Sequence, residues 1–169
     1  MDCKESTELI IVSIYQCCVN PTNEIGITAY HQQEIQLVDM RRENTNPRAN
    51  FSMDIQEFIE EKLAVHKGIR IPIIVGNWNE TCKGNSTSQK LCDWFGLVDA
   101  WASINPNQPA FNTFRDGSRR IGFLLTLLPL ALPWIKSFIY EPFKYRLLGD
   151  HRGFYVDIDV HQLFVQVDI

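Results

Sequence analysis

Three short segments carry residue types that can act on a ligand. Gly76-Asn77-Trp78-Asn79-Glu80 directly follows the apolar run Ile71-Pro72-Ile73-Ile74-Val75. Residues 113–122 read T-F-R-D-G-S-R-R-I-G, and Gly149-Asp150-His151-Arg152 precede a last stretch of alternating character. A glycine at the end of a rigid apolar run lets the backbone turn sharply, and the amides of Asn77 and Asn79 beyond it are placed to touch a ligand. On spacing alone a plain strand-to-loop turn accounts for that segment at least as well. Asp150 beside His151 is a common pairing and means little in isolation. The five cysteines are odd in number and contain no C-x-x-C pair. Neither a disulfide framework nor a zinc site is expected, and reduced thiols are the default.

Those segments need elements to hold them. Ile71, Ile73, Ile74 and Val75 make a short β-branched run that reads as a buried strand ending at Gly76. Residues 9–15, L-I-I-V-S-I-Y, predict another strand, ending in Tyr15. Between the two, residues 29–44 place Tyr30, Ile35 and Val38 on one side of an amphipathic helix, which Asn46-Pro47 breaks. A second helix over residues 53–67 carries Ile55, Phe58, Ile59 and Leu63 on one stripe and stops at Gly68. Ser86 and Gln89 have capping-box spacing and open a third helix with Leu91, Cys92 and Phe95, so that Cys82 and Cys92 flank it. Residues 97–101, 111–114, 120–128, 137–143 and 153–159 predict strands, with 111–114 and 120–128 joined as a hairpin through Asp116-Gly117. This order of strands and helices is that of an α/β protein.

Composition narrows the function classes. A chain of 169 residues, 45% hydrophobic, is sized for one domain with a real core. Its net charge of -4 excludes a broad basic surface, so any contact with a polyanion has to be local. Residues 1–7 lack the basic start of a secretory signal, and the apolar run over 121–135 is too short for a span and is interrupted by Pro129 and Pro133. An intracellular protein with no membrane partner is expected. His31, His66 and His161 read as surface or packing residues, and Trp94, Trp101 and Trp134 as core; Trp78 adjoins the loop after the central strand and is the exception.

In this order and at comparable spacing, G-N-W-N (residues 76–79), the R-I-G that includes Arg120 and Gly122, and the G-D-H that ends at His151 resemble the G-D-x-N, R-[IL]-D and [SG]-D-H motifs of the endonuclease/exonuclease/phosphatase superfamily. That superfamily holds the pancreatic-DNase-like and apurinic-site nucleases. The resemblance covers residues 8–159 and matches the C-terminal half of the family's domain. It implies an α/β fold with a mixed β-sheet flanked by helices, one half of a four-layer α/β sandwich. Residues 8–160 would form this partial domain between tails at 1–7 and 161–169. It also implies a hydrolase of phosphodiesters or phosphomonoesters that works with a divalent cation, usually magnesium. The cation and fixed donors would neutralise charge on the phosphoryl oxygens while an oriented water attacks.

Carried over residue by residue, the resemblance makes Asn79 the amide that contacts the scissile phosphate and His151 the imidazole that binds it or stabilises its developing charge. Asp150 becomes the carboxylate beside the metal, and Tyr15 and Arg120 become substrate contacts; Trp78 is counted with them because it adjoins the same loop. Two positions depart from the pattern. Asn77 replaces the Asp that activates water, and an amide cannot accept that proton at neutral pH. Gly122 replaces the Asp that orients the catalytic His. The Asn and the metal-binding Glu of the family's other half have no counterpart, since Gln33-Glu34 and Gln56-Glu57 fall on predicted helices. The expectation is a nuclease-like domain with little or no turnover as it stands; a non-catalytic binding module that keeps the fold is the alternative. Nucleic acid or another phosphate ester is the expected partner. Strands apolar on both faces further imply self-association, or a second chain that supplies the missing half.

Overall fold

The computed structural model describes residues 6–18, 28–64, 68–109, 111–115, 117–127, 131–143, 150–159 and 161. Along the chain they form β1 (Ser6–Tyr15), α1 (Ala29–Asp39), α2 (Pro47–Ala64), β2 (Gly68–Asn77), α3 (Thr87–Phe95), β3 (Leu97–Asp99), α4 (Ala100–Ile104), β4 (Gly122–Leu127), a 3-10 turn at Leu132–Trp134, β5 (Ile135–Tyr140) and β6 (Phe154–Ile158). Contacts divide the chain into two units, Met1–Ile14 with His66–Ile169, and Tyr15–Val65.

The larger unit is built on a four-stranded sheet in the order β1-β2-β4-β3. β4 runs antiparallel to both β2 and β3, with Ile73 opposite Thr126, Asn77 opposite Gly122 and Val98 opposite Thr126. β1 follows β2 in the same direction: Glu8 pairs with Arg70 at one end, and the Ile14 carbonyl lies against Gly76 at the other. The sheet is therefore mixed, as expected, and α3 and α4 pack beside β3 and β4. A separate antiparallel ribbon of β5 and β6 contributes Ile135, Phe138 and Tyr140 to a core shared with Ile73, Leu124, Ala100 and Trp101. Four aromatic rings tie this core together, with Trp101, Phe111, Tyr140 and Phe138 in successive contacts of 4.8 to 5.1 Å.

Four consecutive residues of β2, Ile71 to Ile74, are buried, as are Phe123 to Thr126 of β4. Burial of consecutive residues means that both faces of these strands are covered within the chain. The bare apolar face anticipated from the sequence is absent from β2 and β4, although Ile11 of β1 is 67% exposed, and self-association has no further support.

The smaller unit consists of α1 and α2 packed together. Thr28 caps α1 by accepting from the His31 backbone amide, and the His31 ring completes the capping box. α2 begins six positions earlier than the apolar stripe suggests. Asn46 Oδ1 accepts from the amides of Arg48 and Ala49, which makes Asn46-Pro47 the start of α2, while α1 has already ended at Asp39 with Met40 as its C-cap, short of the expected residue 44.

Other boundaries differ for tertiary reasons. The segment 97–101 is split, because Asp99 accepts from the Ala102 amide and turns the chain into α4. Residues 111–114 form no regular strand: the turn is held by the Gly117 amide donating to the Phe114 carbonyl and the Thr113 amide donating to the Arg119 carbonyl, and Phe114 also bridges to His151. Asp116 of the expected turn, Gly149 and His66 lie outside the described residues. Trp94, expected in the core, is 47% exposed, whereas Trp101 is buried. Among the described residues no helix is long and apolar enough to cross a membrane.

Candidate functional site

β2 approaches β1 so closely at Gly76 that a Cβ there would lie 1.9 Å from the Ile14 carbonyl oxygen, and its φ of +153° is one that side-chain-bearing residues avoid. Only glycine lets the two strands pair to their ends, and this pairing delivers the next residues to the sheet edge. Asn77 closes the strand, and its Oδ1 accepts from the Asn79 amide at 3.1 Å. Asn79 takes a left-handed φ of 50°, which a short amide side chain tolerates. The Trp78 amide donates to the Ile121 carbonyl at 2.8 Å. The Trp78 ring corrects the sequence reading: it is completely buried, stacks on Phe123 at 5.2 Å, and donates from Nε1 to the Phe123 carbonyl. It anchors the loop and has no face left for a substrate.

Asn77 sits directly opposite Gly122, so the two positions at which the chain lacks a motif acid are cross-strand neighbours. The join to the third motif is Thr113, which the sequence reading did not single out. Its buried hydroxyl accepts from the amides of Ile121 and Gly122, both at 2.9 Å. Its carbonyl accepts from the Arg152 amide at 2.8 Å, while the Arg115 amide donates to the Asp150 carbonyl and Phe114 bridges His151. One threonine thus fastens the start of β4 to the Asp150-His151-Arg152 segment. The signal was present as the first letter of T-F-R-D-G, but a hydroxyl that serves two backbone amides looks like any other surface threonine until the chain returns to it.

His151 and Asp150 remain partly open, with side chains 38% and 52% exposed and Nε2 3.8 Å from Oδ1. That distance exceeds a hydrogen bond, and an exposed pair of this kind holds its members weakly. The His151 ring leans on Phe114 at 5.2 Å. Beside it, the Arg152 guanidinium lies over the rings of Phe143 and Phe111 at 4.5 and 5.2 Å. Its Nε is buried and meets no hydrogen-bond acceptor among the described residues.

Arg120 is placed differently from what a phosphate contact requires. Its guanidinium forms a two-pronged pair with Asp99, Nη1 reaching Oδ1 at 3.0 Å and Nη2 bonding Oδ2, with the side chains only 11% and 10% exposed. Nη1 also lies 3.4 Å from the Tyr140 hydroxyl, which donates to the Gly122 carbonyl at 2.8 Å. The cation sits over Trp101 and Phe123 as well. Burial alone would lower the Arg120 pKa, but the hydrogen bonds and charge of Asp99 outweigh it and hold it above its ordinary value. Burial pushes the Tyr140 phenol up to about 12, against the opposing pull of Arg120. Arg120 is therefore a structural cation under the site. Tyr15, at the end of β1, is 61% exposed and belongs to the smaller unit.

Magnesium, which the resemblance implies, requires a near-octahedral set of oxygen ligands. Among the described residues no three His, Cys, Asp or Glu side chains converge. Asp150 brings one half-exposed carboxylate, and the Asn77 amide oxygen already accepts from Asn79. This donor set does not fit a magnesium centre.

No family model and no curated protein matches the chain. Among solved structures, the 3' phosphatase NExo from Neisseria, determined bound to a product DNA hairpin, aligns with a TM-score of 0.53 at 16% identity. The alignment covers 66% of this chain and 52% of the phosphatase, so the chain spans about half the length of that protein. At such identity the likeness concerns the fold. The chain has a mixed-sheet α/β architecture flanked by helices, in agreement with part of a DNase-like fold.

Proposed function

We propose that this chain is a degenerate member of the endonuclease/exonuclease/phosphatase superfamily that binds the phosphate of a nucleic-acid backbone or another phosphate ester without hydrolysing it as it stands. The observation that carries the reading is the pairing of Asn77 with Gly122, joined through Thr113 to the segment of His151. These contacts link three motif segments that are far apart in sequence at one end of the sheet, which supports the reading. At that meeting point both water-activating and His-orienting carboxylates are replaced, by an amide and by a hydrogen. Positioned acid-base catalysis contributes about 10²–10⁴-fold, and its loss removes most turnover.

What survives suits an anion. His151 is open to solvent, and the guanidinium beside it in sequence is that of Arg152, whose buried Nε meets no acceptor among the described residues, whereas Arg120 is paired with Asp99. Guanidinium and imidazole donors bind phosphate through charge-assisted hydrogen bonds that need neither lost acid. The DNA hairpin bound by the Neisseria phosphatase supports nucleic acid as the ligand class.

The test has two arms. Inorganic phosphate is titrated while the His151 ring resonances are followed by NMR, and plasmid and abasic-site DNA are incubated with the chain and magnesium beside a His151→Ala control. Saturable shifts without nicking are expected. Absence of any shift at millimolar phosphate refutes binding at this site, and nicking above the control refutes the loss of turnover.

A further inference from the structure

Beyond Asn79 the chain loops back onto α3 and brings two thiols into contact. Cys82 Sγ and Cys92 Sγ lie 3.7 Å apart although the residues are ten positions apart in sequence. Sulfur atoms at this separation touch, and a bond of about 2.05 Å between them needs only a short approach. Cys82 is held in place from both sides. Before it, the Glu80 carboxylate accepts from the Ser88 amide at 2.9 Å and the Ser88 hydroxyl at 3.3 Å; after it, Ser86 Oγ accepts from the Gln89 amide and caps α3. The two thiols form part of the wall of a cavity of about 630 Å³ that also borders Asp99, Trp101 and Arg120, so small solutes can reach them.

The pair is chemically unequal. Either sulfur can donate in this contact; with Cys92 as the donor, the bond lowers the Cys82 pKa, while the same bond together with burial raises that of Cys92. One partner is thus the readier thiolate, the nucleophilic form, and the other keeps its proton. Two sulfurs do not make a zinc centre, and among the described residues no third His, Cys, Asp or Glu joins them.

We infer that Cys82 and Cys92 form an oxidation site, converted to an intramolecular disulfide by a small-molecule disulfide such as oxidised glutathione. The Cys82 thiolate attacks one sulfur of the oxidant, whose S–S bond breaks and releases one glutathione as a thiolate that takes up a proton. Cys92 then loses its proton, and its sulfur attacks Cys82 in the mixed disulfide and expels the second glutathione. The two protein thiols give up two electrons and two protons, and the oxidant becomes two thiols. The new bond ties the loop after Asn79 covalently to α3 along the cavity wall.

The full chain is equilibrated in glutathione buffers of increasing oxidised fraction, free thiols are trapped by alkylation, and the digest is analysed by mass spectrometry. A cross-linked peptide joining Cys82 to Cys92, lost again on reduction with dithiothreitol, is the expected result, together with arrest of Cys92→Ser at a glutathione adduct on Cys82. The pH midpoint for Cys82 alkylation should lie below that of an ordinary cysteine, about 8.5, and should rise in Cys92→Ala. The inference is overturned if Cys82 and Cys92 stay thiols in buffers that oxidise them in the urea-unfolded chain. It is also overturned if Cys82 pairs instead with Cys17 or Cys18, or if wild type stops at the mixed disulfide.

Discussion

Asp99 should be among the most sensitive side chains in the molecule, although it lies outside all three motifs. It does two jobs, neutralising Arg120 through both carboxylate oxygens and capping α4 by accepting from the Ala102 amide at 3.2 Å. Both members of the pair are about nine-tenths buried, so removing one strands the other in a poorly solvated site. Breaking a buried pair from one side costs about 3–5 kcal/mol, and losing the cap costs about 1 kcal/mol more. The cation–π contacts of Arg120 with Trp101 and Phe123 and its hydrogen bond with Tyr140 remain, and return about 1 kcal/mol. Asp99→Ala should therefore lose about 3–5 kcal/mol. Asp99→Asn keeps the cap and one oxygen acceptor and loses the charge, so about 2–3 kcal/mol is expected. Urea unfolding followed by circular dichroism gives both numbers, and a cycle with Arg120→Met isolates the coupling. If Asp99→Asn unfolds within about 0.5 kcal/mol of wild type, Arg120 is not held by Asp99, and the conclusion that it is unavailable to a phosphate fails.

Three further outcomes follow from the geometry. The Tyr140 phenol ionises near 12 in the folded chain and near 10 when unfolded, so the stability it confers is complete below pH 10 and drains away as pH rises towards 12. About 2–3 kcal/mol should be lost over that interval, and ultraviolet titration should show a late phenol that disappears in Tyr140→Phe; titration of every tyrosine near 10 would contradict it. Gly76→Ala must push its Cβ away from the Ile14 carbonyl and should cost about 3 kcal/mol or more; a thermal midpoint equal to wild type would show that β1 does not pair so closely there. A Cβ at Gly122 would meet nothing nearer than the Thr113 hydroxyl at 3.6 Å, so Gly122→Ala should change stability by less than about 1 kcal/mol. A collapse of the fold on that change would mean that Gly122 is required by packing and that a missing acid does not explain it.

Local signals were legible in the chain itself. The β-branched run of β2, the glycine that ends it and the Ser86 cap of α3 are dictated within a few residues, because strand alternation, turn conformation and orphan helix amides are short-range physics. The order of the motifs likewise foretold an α/β sheet. Decisions that depend on where the chain returns were not legible. Asn77 faces Gly122 only because β2 and β4 pair in one register, and a shift of one position would turn every side chain over. Trp78 turns inward because Phe123 offers it a stacking face 45 residues later, and a sequence pattern cannot tell that ring from one aimed at a ligand. Arg120 looked available because its charge was read alone. Asp99, 21 residues earlier, claims it at the edge of the sheet, since a buried guanidinium must find its counter-charge wherever the fold supplies one.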